Sequence, residues 1–141
     1  MFKRKTVIIK SSIKDTLKQL KGKGPDIVVT DFYGDYKNAP YELVIWYFFK
    51  TNEDWKNAED SGFTEEIRLL TKSIMIKKGY PASAFDVNVV RWDECGEFIG
   101  FTEEQKQEYI KEMTHLKVEI AFASEEDVEE KANGNYYHYF K

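Results

Sequence analysis

A single cysteine among 141 residues leaves no partner for an internal disulfide, and no metal-type cysteine spacing exists. A disulfide-stapled secreted scaffold is therefore excluded, and the usage suits a reducing, cytoplasmic compartment. Long apolar runs are also missing: the longest, Leu43 to Phe49, is seven residues. A membrane helix needs about 20, so no span is expected. The charged N-terminus is followed by no 7–15-residue apolar stretch, which argues against a secretory leader. Prolines number three and glycines eight, with no repeat, linker or low-complexity tract among them. One domain over residues 1–141 is expected, large enough to bury about 68–70% of the surface its unfolded chain exposes.

The signatures of common enzymes are absent too. The chain has no GxGxxG, GxxxxGK[ST], HExxH or GxSxG. Lys21-Gly22-Lys23-Gly24-Pro25 resembles a phosphate loop only in composition, because it precedes a strand-like stretch. Phosphate loops open a helix, where free amides and the positive dipole end converge. Here the run stops one.

What is present is charge, unevenly placed. Aromatics make up 16% and charged residues 33%, a composition that folds rather than stays disordered. Residues 1–24 carry eight basic groups against Asp15, a balance of +7. The other 117 residues hold 13 basic and 24 acidic groups, or −11, for the net −4 of the chain. A basic segment on an acidic body either docks on its own domain or contacts an acidic partner such as nucleic acid.

Patterning suggests the elements. Residues 6–9 read as a β-branched strand, and Ile13, Leu17 and Leu20 as the inner face of a short helix whose Lys14, Lys18 and Lys21 form a parallel stripe. Residues 26–33 and 41–50 read as a hairpin, the second strand apolar on both faces and hence central. Thr51 with Asp54 opens a short helical turn broken at Ser61-Gly62. Thr64 caps a longer helix that ends at Gly79 and Pro81. Strands over 85–92 and 116–122, a helix from Thr102 to about Met113, an acidic helix over 124–132 and a final strand over 136–140 complete the reading. The fold class expected is α+β: a single domain with a mixed five- to six-stranded sheet and helices packed mainly on one face.

Several residues invite a chemical reading. His115 and His138 fall short of the three or four ligands a transition-metal site needs, so no metal is expected. Cys95 lies among Asp93, Glu94 and Glu97, which raise a thiol's pKa and blunt a nucleophile. Asp31 and Asp35 bracket a turn, where Asp is an ordinary residue. The aromatic strings Trp46 to Phe49 and Tyr136 to Phe140 must divide between core and surface, and exposed tyrosine suits protein interfaces.

The function expected is a non-enzymatic, cytosolic protein-binding module with no cofactor. Its contact surface would consist of Glu125, Glu126, Glu129, Glu130, Tyr137 and Tyr139, facing a basic protein. Small acidic proteins that block a nuclease, as bacterial toxin-immunity proteins do, share this profile of size and charge, an analogy that no motif carries further. The alternatives are a small enzyme with an active site assembled from dispersed residues, or a nucleic-acid-binding domain using the basic N-terminal helix.

Overall fold

A computed structural model describes residues 4–85, 102, 104 and 117–140, the side chains of Tyr137 and His138 excepted. The expected strand over 85–92 therefore lies outside the described residues apart from Phe85, as does the helix from Thr102 to Met113 apart from Thr102 and Glu104, and with them Cys95 and His115.

The chain opens with α1 (Lys5–Leu20), which absorbs the stretch 6–9 that reads as a strand in isolation. Its β-branched residues cost a helix only a few tenths of a kcal/mol each. Burying one isoleucine returns about 1.5–3 kcal/mol. Ile8, Ile9, Ser12, Ile13, Thr16 and Leu20 share one face and are all buried, so tertiary packing decides the outcome.

β1 (Ile27–Tyr33) and β2 (Val44–Phe49) form the expected antiparallel hairpin. Its corner needs Gly34, at φ +133°, because a Cβ there would lie 2.1 Å from the Glu42 carbonyl oxygen. A bulge between Ile27 and Val29 pairs Ile27 with Phe49 and Val29 with Phe48. That extra residue reverses the alternation, so Ile27 and Phe32 reach the same core despite their odd separation.

After β2 come α2 (Asn52–Ser61) and α3 (Phe63–Lys77). Thr51 caps α2 as its sequence implies, its hydroxyl accepting from the Asp54 N–H at 3.1 Å. Gly62, at φ +84°, ends α2 and starts α3 in one residue, so Thr64 is a buried side chain inside the first turn and not the cap. A 3₁₀ turn over Ala82–Phe85 follows. β3 (Glu119–Ser124) then pairs with β2 in parallel, Ile45 opposite Ile120 and Phe49 opposite Ser124. α4 (Glu125–Ala132) starts without a linker, and the short turn α5 (Tyr136–Tyr139) follows.

The class is α+β as expected, but the strand count is corrected. The described residues form a three-stranded mixed sheet in the order β1-β2-β3, not five to six strands. One expected strand is the start of α1 and another is α5. For α5 the signal was in the spacing: Tyr136, Tyr139 and Phe140 lie at i, i+3 and i+4, which shares one side of a helix and not of a strand.

β2 is central and covered on both faces. On one, Ile45, Tyr47 and Phe49 meet Ile9, Ile13, Ile67, Met75, Ile120 and Phe122 from α1, α3 and β3. On the other, Phe48 meets Ala123 and Val128, with Trp46, Tyr136, Tyr139 and Phe140 closing over them. Helical cover is thus present on both sides of the sheet. Asp15 of α1 accepts from Lys78 Nζ at 2.6 Å and ties the helical layer together, and the lysine's hydrogen bond and charge hold its carboxyl below the usual range.

A small polar seam crosses the larger core. The Tyr47 hydroxyl lies 2.7 Å from Thr71 Oγ1, and Thr71 in turn donates to the Ile67 carbonyl at 2.7 Å. Burial pushes the Tyr47 phenol up to about 12. A raised folded-state pKa means that the neutral phenol is favoured by folding. Its contribution is complete below pH 10 and is lost as pH rises toward 12. By pH 11 the loss is about 1–2 kcal/mol. Denaturant titrations at pH 8 and 11 should show Tyr47→Phe costing about 1 kcal/mol at the lower pH while flattening this alkaline decline. An equally steep decline in the variant would assign it to other groups.

Candidate interaction surface

The parallel register of β2 and β3 sets the geometry. Because Phe49 lies opposite Ser124, both strands end side by side and both give way at once to helices. The N-termini of α2 and α4 are therefore neighbours, and a chain of hydrogen bonds joins them. The Ser124 hydroxyl donates to Asn52 Oδ1 while accepting from the Asp127 N–H at 3.0 Å. The Asn52 N–H donates to Glu126 Oε1 at 3.4 Å, and the Glu126 N–H to the Lys50 carbonyl at 3.2 Å.

A helix N-terminus attracts anions, and here the chain supplies them itself. Glu53 and Asp54 occupy the first turn of α2; Glu125, Glu126 and Asp127 occupy that of α4. Each gains about 0.3–1 kcal/mol from the dipole. A phosphate would meet carboxylates on both helices, so the crevice is a poor anion site. The open groove beside it, about 560 Å³, is lined by Lys50, Thr51, Glu125, Glu126, Glu129 and Tyr136 among others.

The predicted contact residues divide. Glu129 and Glu130 are exposed and form no ion pair among the described residues. Glu126 is exposed but already bonded to Asn52; Glu125 is half-buried. Burial, with the charge of Glu125 adding to it, raises the pKa of Tyr136. Tyr139 is half-buried, and its hydroxyl donates to the buried carboxylate Asp127, which also meets Lys131 Nζ at 3.3 Å. Burial and that carboxylate push the Tyr139 phenol well above its ordinary range. The Tyr137 side chain lies outside the described residues.

Sequence reasoning missed the α2 contribution. Glu53, Glu59 and Asp60 are exposed on a helix packed beside α4 and extend the acidic surface, with Glu59 accepting from Trp55 Nε1 at 3.3 Å. Their charge was visible in the sequence, but their adjacency depends on a parallel pairing across some seventy intervening residues.

The other candidates stay apart. Asp31 Oδ1 accepts from the Phe32 N–H at 2.8 Å within β1 and Asp35 Oδ1 from Asn38 Nδ2 at 3.0 Å in the turn after it, so each is bonded locally. Among the described residues no three His, Cys, Asp or Glu side chains are grouped to hold a metal ion, and no helix is long and apolar enough to cross a membrane.

Beneath the acidic surface sits an aromatic seal. Tyr136 stands edge-on to Phe48 at 4.9 Å, Phe140 lies 5.3 Å from Trp46 and 5.2 Å from Tyr33, and Trp46 Nε1 donates to the Tyr33 hydroxyl at 3.3 Å. Removing residues 134–141 should unfold or aggregate the protein, since Phe48 and Trp46 would face water together. Tyr139→Phe, which withdraws only the donor to Asp127, should cost about 1–3 kcal/mol. A truncated chain with unchanged melting would overturn the assignment of this segment to the core. No family model, curated protein or solved structure matches this chain.

Proposed function

We propose that the protein is a non-enzymatic, cytoplasmic binding module, of an inhibitor or immunity type, whose acidic surface on α2 and α4 engages a basic protein. The observation that supports the reading is the pair Glu129 and Glu130. Dipole compensation accounts for the acids of the two first turns, but these two lie beyond the first turn of α4, exposed and unpaired among the described residues. Like charges crowded on an eight-residue helix oppose compactness and exceed what solubility asks of a chain already at −4. Glu53, Glu59 and Asp60 add to the same field, against exposed Lys50 and Lys56 nearby in the chain and Lys131, exposed on α4 itself beside Glu130 and paired with Asp127.

A surface of this kind acts first on association rate. Its field steers a cationic partner within a Debye length of about 8 Å at physiological salt. Basic proteins retained on the immobilised chain at low salt and released at high salt are the expected partners. Against such a partner, Glu129→Gln with Glu130→Gln should slow association about 3–10-fold at low salt, with melting temperature unchanged. Failure to retain any basic protein, or an unchanged rate and salt dependence in the double variant, would reduce the acidic helix to a solvated face.

A further inference from the structure

The opposite charge is concentrated on α1 and its two ends. Arg4, Lys10, Lys14, Lys18, Lys21 and Lys23 are all exposed, and among the described residues none forms an ion pair. Lys10, Lys14 and Lys18 fall on one i, i+4 row of α1, rising about 6 Å at each step, and Lys21 at the C-cap extends it to about 16 Å from end to end. The one acid on the helix, Asp15, is already engaged by Lys78 at 2.6 Å and does not neutralise the row.

We infer that this lysine row is a contact surface for the phosphate backbone of nucleic acid, bound without regard to base sequence. Three features favour that ligand over other anions. The row runs along the helix, and a duplex carries one charge per about 1.7 Å of its axis, so each lysine can meet a phosphate wherever the helix lies along it. The row carries no aromatic side chain to stack bases. The apolar face of α1 is spent in the core through Ile8, Ile9, Ile13 and Leu20, leaving Val7 as its exposed large apolar side chain and nothing to insert into a lipid surface. The acids of α2 and α4 do not cancel the row. α1 and α2 both pack on α3, and one helix spacing of about 8–10 Å already equals a Debye length at physiological salt.

The test is fluorescence anisotropy with a labelled 24-base-pair DNA duplex of arbitrary sequence. Four lysines that neutralise four phosphates release the counterions condensed there, which predicts a slope of about −3 to −4 in log K against log salt, or roughly a 100-fold loss of affinity between 50 and 200 mM. Lys14→Gln with Lys18→Gln should lower that slope by about 2, equally for duplexes of unrelated sequence, with melting temperature unchanged. Absence of binding at 50 mM salt, or a slope the double variant does not alter, would overturn the inference. So would binding of vesicles containing phosphatidylserine by a protein that leaves the duplex free. The Glu129 and Glu130 variants leave this row untouched, so the two surfaces succeed or fail separately.

Discussion

The double-sided hydrophobicity of β2 is the constraint on which the molecule depends. Val44 to Phe49 presents large apolar side chains alternately to both faces of the sheet, and Ile45, Tyr47, Phe48 and Phe49 are each buried to the last percent. A strand of this kind cannot lie on a surface; it needs two strand neighbours and cover above and below. β1 and β3 are the strand neighbours, α1 and α3 cover one face, and α4 and the final aromatic turn cover the other. The bulge in β1 belongs to the same demand, because it turns Ile27 toward the core that Phe32 already serves.

How far the sequence discloses this depends on how local each determinant is. β2, the hairpin, the Thr51 cap and α4 follow from nearby residues, and all appear where their patterns place them. The start of α1 does not, because Thr6 to Ile9 favours a strand until a partner face makes burial along a helix worth more than local preference. The final segment misled for a simpler reason: five consecutive residues rich in tyrosine suggest a strand by type, while the spacing of those that pack argues helix. The acids of α4 were legible one by one. Their union with α2 was not, since only the register of β2 against β3 brings Asn52 to Glu126.

Charge is sorted as strictly as hydrophobicity. Among the described residues the cations of α1 form no ion pair, and the carboxylates gather where two helices begin. The acidic concentration has a structural origin in its first-turn members, which lie at the positive dipole ends of α2 and α4. A surface raised partly for folding is then available for recognition with the addition of only a few further acids. On that reading Glu129 and Glu130 differ in kind from Glu125 and Glu126, though the four stand close together in the chain.

The aromatic turn at residues 136–140 also bears on synthesis. Phe48 emerges from the ribosome early, yet Ala123, Val128, Tyr136, Tyr139 and Phe140, which bury it, are made some seventy-five or more residues later. β2 must likewise wait for β3 before its second edge is paired. Pairings this remote close slowly and leave intermediates with bare apolar surface. A nascent chain stalled before residue 119 thus displays one of its most apolar strands with one edge open and one face bare, a substrate that chaperones holding hydrophobic segments would recognise.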